Sequence, residues 1–285
     1  MSPVDGPALG RRRLRAALRA ARLAAGLTQE QVAAAMDWSL SKVIRIESGA
    51  VSVSTTDVRA LVRLYGITDP RQVDELVALA RRSRRRQWFS SLRRNLPAPY
   101  AAYIGLEAET SFIRYFHPTG LPNLFQTEAY AAASTFRGDA HHLAVRRARQ
   151  RELLNRPDPP EVVALLAEGV LRRIADGPDD LGGQLEHLRA LGDRPNITIQ
   201  VLPFTAGIFQ FRGPFAILQF PQPDADVMFV ESAVADDVID QPEVVGAFRE
   251  EFDRARELAL SPAETRLLIT RLIESASERG EARGG

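Results

Sequence analysis

The 285-residue sequence contains no cysteine, so disulfides, thiolate metal sites and thiol nucleophiles are excluded outright. No apolar run approaches the roughly 18 residues of a membrane span, and the first residues do not resemble a secretory leader. No membrane association and a cytoplasmic location are therefore expected. Histidine is scarce: His117, His141, His142 and His187 are the only four, and none stands in an HExxH or comparable ligand spacing. A GxSxG elbow, a phosphate-binding Walker loop and a GxGxxG turn are all missing. Glu107, Glu109 and Glu168 have no evident partner in the sequence and read as helix-surface charge or caps. The expectation is a protein that is not an enzyme, with no catalytic residue, no metal and no cofactor.

Lysine is nearly absent as well. Lys42 is the only one, and arginine carries the remaining positive charge. The net charge of +1 conceals a division: residues 1–94 hold 18 Lys+Arg against 8 Asp+Glu, whereas the rest of the chain holds 19 against 28. A basic first part beside an acidic second part implies a polyanionic partner for the first alone. A hydrophobic content of 45% suffices for a sizeable core, and the length allows two domains of ordinary size.

Residues 27–49, LTQEQVAAAMDWSLSKVIRIESG, organise the first part. Thr28 is placed as an N-cap with Gln31 three residues on, a capping box. Val32, Ala33 and Met36 then recur at helical spacing. Asp37 and Trp38 break the pattern, and Ser39 offers a second N-cap. In the helix that follows, Val43 and Ile46 face inwards, while Leu40, Ser41, Lys42, Ile44 and Arg45 line or flank the outer face. Gly49 is placed to end it. Two short helices joined by a tight turn, the second showing short polar and basic side chains, form a DNA-binding helix-turn-helix.

These residues carry a resemblance. Arg22, the AGLTQ run at 25–29, Ala33 and the pattern SxSKVxRIE from Ser39 to Glu47 make residues 9–67 similar to the lambda-Cro, or xenobiotic-response-element, family of helix-turn-helix domains. The resemblance implies a structural ion pair between Arg22 and Glu47. It also places Thr28 and Gln29 at a helix N-terminus facing the DNA backbone, with Gln29 on a phosphate. Ser39, Leu40, Ser41, Lys42 and Arg45 fall on the reading helix, Lys42 placed for base or phosphate. Arg45 suits a guanine O6 and N7, and Leu40 a thymine methyl. After Gly49 the sequence departs from phage repressors, with AVSVS at 50–54 where they often carry basic residues; Ser52 and Ser54 remain as phosphate donors. Arg11, Arg12, Arg13 and Arg15 on a first helix from Leu9 to Ala25 could lie along phosphates.

Further helices are expected from a Thr55/Thr56–Asp57 cap to Tyr65 and from Asp69–Pro70 onwards, giving five in a domain at 9–80. The first eight residues read as disordered. A basic connector at 81–95 follows, with Trp88 and Phe89 expected to dock on what comes next. An α+β domain at 96–277 and a disordered tail at 278–285 complete the division. Within that second domain, 101–115 reads as a helix and 162–166 is ambiguous between strand and helix. NITIQVLPF at 196–204, GPFAILQF at 213–220 and DVMFVES at 226–232 read as strands of a small mixed or antiparallel sheet. Ser261 and Glu264 form a capping box with Pro262 between them. The expected fold class is a mainly α helix-turn-helix domain followed by this α+β domain.

A second resemblance covers residues 88–275. LEAET at 106–110, IRYFHPTGLPNLFQTEAY at 113–130, RRARQRELL at 146–154, Glu168 with Leu171–Arg173, QL at 184–185 and LSPAET at 260–265 resemble the C-terminal domain of actinomycete Scr-type antitoxin-like transcriptional regulators. It departs at Ala140–His142 and in the apolar run 208–211. The resemblance implies a small partner protein. The expected function is a dimeric, sequence-specific regulator, a repressor or dual regulator, on a pseudo-palindromic double-stranded operator. Its half-sites would lie about 34 Å apart. The second domain would dimerise and bind the partner that modulates DNA binding. Two alternatives stand beside it: an antitoxin-like protein that neutralises a small partner and autoregulates, and a repressor sensing a small-molecule effector in an apolar pocket near 204–215 with Tyr115 and Phe125.

Overall fold

A computed structural model describes residues 6–85, 88–91, 96–134, 140–177, 181–207, 213–232 and 235–284. The chain divides into two compact units, Met1–Glu109 and Thr110–Gly285.

The first unit is helical: α1 Pro7–Ala24, α2 Gln29–Ala35, α3 Leu40–Glu47, α4 Thr55–Leu64, α5 Pro70–Ser83, a 3₁₀ turn at Trp88–Ser91 and α6 Ala98–Glu107. Leu14, Leu18, Val32, Val43, Ile46, Val58, Leu61 and Val77 from five different helices make one core. Full burial of each such side chain contributes roughly 1.5–3 kcal/mol. The helix start lies earlier than Leu9: Pro7 occupies the first turn, where a missing N–H costs nothing, and Pro7 and Ala8 are buried. The other residues expected to be disordered at that end, 1–5, lie outside the described residues. The cap of α4 is Ser54, whose Oγ accepts from the Asp57 N–H at 2.9 Å, not Thr55 or Thr56. Phe89 is buried, while 86–87 and 92–95 of the expected connector are not among the described residues.

The second unit is α+β, with β1 Phe112–His117, α7 Glu128–Ser134, α8 Ala140–Leu154, β2 Glu161–Ala167, α9 Glu168–Ala175, α10 Gly182–Gly192, β3 Ile197–Leu202, β4 Phe215–Gln219, β5 Val227–Val230, β6 Asp237–Ile239, α11 Pro242–Glu257 and α12 Pro262–Gly284. Its six strands form one mixed sheet in the order β3-β2-β1-β4-β5-β6, parallel among β1, β2 and β3 and antiparallel elsewhere. The helix expected over 101–115 is thus wrong in its second half: α6 stops at Glu107 and residues 112–117 are a strand. FIRYFH is rich in aromatic and β-branched side chains, and a central strand with hydrogen-bonded neighbours on both sides stabilises them better than a helix end would. The ambiguous run at 162–166 is likewise a strand, buried on both faces. The expected tail at 278–285 continues α12 as far as Gly284.

Alternation along the strands separates two cores. Phe116, Leu165, Phe215, Ile217 and Met228 share a face with Val245, Phe252 and Ala255 of α11. Ile113, Tyr115 and His117 point to the other face. At each sheet edge some backbone groups are satisfied from outside the ladder. The Val201 N–H of β3 donates to Thr265 Oγ1 and its carbonyl accepts from the Leu260 N–H. On β6, the Val238 N–H is taken by the Asp237 carboxylate.

Candidate nucleic-acid interface

Helices α2 and α3 with their turn form the arrangement that the sequence implied. The Thr28 hydroxyl accepts from the Gln31 N–H at 3.2 Å and Gln31 Oε1 accepts from the Thr28 N–H at 2.8 Å, a complete capping box. The turn needs one residue in the left-handed region, and Asp37 supplies it with φ 53°. Trp38 N–H then donates to the Ala33 carbonyl, and Ser39 caps α3 through the Lys42 N–H. Gly49, at φ 75°, ends α3 where a side chain would be strained.

Helix α3 buries Val43, Ile46 and Glu47 and leaves Leu40, Ser41, Ile44 and Arg45 exposed. These four make two adjacent rows, each of two residues one turn apart. Lys42 stands at the flank. Its Nζ lies 3.5 Å from the centre of the Trp38 ring and 3.7 Å from Asp57 Oδ2.

What holds α3 in place is a polar cluster beneath it. Arg22 Nε donates to Glu47 Oε1 at 2.5 Å and Nη2 to Oε2 at 3.0 Å, a bidentate pair with both side chains under a tenth exposed. The remaining arginine nitrogen reaches the Leu27 carbonyl, and Gln29 Nε2 donates to Glu47 Oε2 at 2.8 Å. Burial alone would push the Glu47 carboxyl up; the hydrogen bonds from Arg22 and Gln29 and the guanidinium charge outweigh it and hold it below the ordinary carboxylate range. Donating to the Glu47 carboxylate likewise raises the Arg22 pKa against the opposing effect of burial. Tyr65, buried near the same carboxylate, is pushed up to about 12, mainly by burial. A second strut comes from Arg15, whose Nη1 donates to the Ser48 carbonyl at the end of α3.

The remaining candidates divide. Thr28 and Ser52 are exposed. Ser54 has its hydroxyl committed to the α4 cap, and the Gln29 amide nitrogen is taken by Glu47. Arg11, Arg12, Arg13 and Arg15 are all half-buried and engaged within the protein; Arg11 Nη2, for example, donates to the Ser83 carbonyl. Ile44 is the exposed residue whose weight the sequence understated, because a helical period alone does not separate a flank from an outer face.

In the second unit the singled-out side chains are structural. Glu168 accepts from Arg172 Nε and from the Phe204 N–H, whereas Glu107, in the first unit, accepts from the Tyr103 hydroxyl. Within the first unit, Glu109 caps α1 through the Ala8 and Leu9 N–H groups. Gln184, fully buried, ties α10 to the Phe125 carbonyl and the Thr127 N–H. The aromatics suggested for a ligand pocket do not converge: Phe215 stacks on Phe116 on the α11 face, whereas Tyr115 meets Phe125 on the other face, and Phe204 is 69% exposed. The run 208–211 lies outside the described residues. Among the described residues no group of His, Asp and Glu could hold a metal ion, and no helix is long and apolar enough to cross a membrane.

Comparison with known families agrees with this geometry. The family model of a helix-turn-helix domain matches residues 13–76. That of a domain of unknown function, DUF5753, matches residues 100–271, which include α6 of the first unit. No curated protein and no solved structure matches the chain. The helix-turn-helix match points to a DNA-binding regulator.

Proposed function

The chain belongs to the DUF5753 family, and we propose that it is a sequence-specific transcriptional regulator that reads double-stranded DNA with α3 and does no chemistry. The observation that carries this reading is the exposed Leu40–Ser41–Ile44–Arg45 surface, set on a helix locked from beneath by Arg22, Glu47 and Gln29. The excess of basic residues over 1–94 supports it, because a polyanion is drawn to that part alone. In this reading the protein works in the cytoplasm as a dimer on a pseudo-palindromic operator. Its acidic second unit supplies the dimer contacts and binds a small partner protein, as the antitoxin-like resemblance of 88–275 implies. The partner acts by binding one arrangement of the two DNA-reading heads more tightly than the other.

Arg45→Ala tests the reading head. Loss of a bidentate contact to guanine costs about 1–3 kcal/mol at one base pair and leaves non-specific affinity nearly unchanged. Titrating the variant against a selected duplex and a scrambled one, at one salt concentration, measures both. Equal losses on the two would remove Arg45 from the reading role. A native mass spectrum of the protein from its source cells tests the rest: a dimer carrying a small polypeptide supports the partner.

A further inference from the structure

The outer face of α3 is unusual in being half aliphatic. Leu40 is 38% exposed and Ile44 45%, although the first unit buries Val43 and Ile46 of the same helix almost completely. A single exposed aliphatic side chain is ordinary. Two of them in one row, on the helix that this fold turns toward DNA, leave a continuous strip of apolar surface, a little less than one whole side chain's worth, in water until something covers it. The one lysine of the chain does not dilute this row, because its ammonium is held between the Trp38 ring and the Asp57 carboxylate. The surface offered to a base edge is therefore Leu40 and Ile44 beside Ser41 and Arg45.

The major groove presents only one apolar group, the C5 methyl of thymine. Side chains one helical turn apart are separated by roughly 5–6 Å, against a rise of about 3.4 Å per base pair, so two methyls on neighbouring or next-neighbouring pairs are within reach together. We infer that Leu40 and Ile44 are paired specificity residues that cover two thymine methyls in each half-site, next to the base pair read by Arg45. This deepens the DNA-reading function and rests on it.

The test uses the full-length protein. A duplex is first selected from a random pool, and each of its thymines is then replaced singly by deoxyuridine, which removes the methyl and nothing else. The expected result is a three- to fivefold loss of affinity at two positions of each half-site, at each the equivalent of one carbon no longer buried. Leu40→Ala and Ile44→Ala each abolish the thymine preference at one of those positions while leaving the others. Both residues are exposed, so neither change removes core packing. If no sequence is enriched, the DNA-reading function and this inference fall together. An enriched duplex that binds equally well with thymine or deoxyuridine leaves the function standing and overturns the inference. So does a thymine preference that survives in both alanine variants.

Discussion

Glu109 offers the sharpest test of how the first unit is held together. Helix α1 has no cap of its own: Gly6 stands at the N-cap position without a side chain, and the first turn contains no acidic residue. The carboxylate of Glu109, a hundred residues away, takes that place, with Oε1 2.7 Å from the Ala8 nitrogen and Oε2 2.8 Å from the Leu9 nitrogen. Gly6 is glycine for the same reason, because a methyl there would overlap the Glu109 carboxyl. Leu9 is fully buried and Ala8 nearly so, and water cannot substitute for a lost acceptor. Glu109→Ala strands two buried donors at about 1–3 kcal/mol each and removes a favourable charge at a helix N-terminus, worth up to about 2 kcal/mol. These terms overlap, and a net loss of about 2–5 kcal/mol is expected. Glu109→Gln keeps one acceptor but not the charge, and is expected to cost about 1–2 kcal/mol. Both tryptophans, Trp38 and Trp88, belong to the first unit, so denaturant unfolding followed by tryptophan fluorescence reports this unit alone. Two variants within about 0.5 kcal/mol of the parent would show the cap to be dispensable and refute the argument.

Two further perturbations follow from buried charge. Removing either partner of the Arg22–Glu47 pair leaves an uncompensated charge and should cost about 3–5 kcal/mol, read in the same titration; an unchanged midpoint for both Arg22→Ala and Glu47→Ala would contradict the pairing. Because the Glu47 carboxyl is held below its ordinary value, its contribution is full above the ordinary carboxylate range and fades as pH falls through the folded value. His117 acts in the same direction at higher pH. Burial lowers it from 6.5 to about 3, so the stability it confers as a neutral ring is complete above pH 6.5. It declines by about 1.4 kcal/mol per pH unit below that. His117→Phe should flatten this acid limb between pH 6 and 4, which thermal unfolding across that range measures; an unaltered slope would mean that the ring is solvated.

The helix-turn-helix was legible because its signals are local. The Thr28 and Ser39 caps, the Gly49 terminus and the 3.6-residue spacing of Val32, Ala33, Val43 and Ile46 all lie within a few residues of what they specify, and each stands in the structure where the sequence placed it. The Ser261–Glu264 box at the start of α12 was readable for the same reason. Charge partition is likewise a sum over sequence and needs no fold.

Other features depend on partners that no local window contains. A run such as YIGLEAETSFIRY suits a helix or a strand, and its second half became β1 because β2 and β4 flank it there. Ser54 prevailed over Thr55 and Thr56 as a cap by where the preceding loop aims its hydroxyl. The assembled fold also gave one donor of the Gln29 amide to Glu47, put Lys42 between Trp38 and Asp57, and separated Phe215 from Tyr115 onto opposite faces of the sheet. Local chemistry thus determined the two helices of the DNA-reading motif and their caps. Only the tertiary structure decided which side chains those segments spend on one another and which, like Arg45 and the Leu40–Ile44 row, are left facing outward.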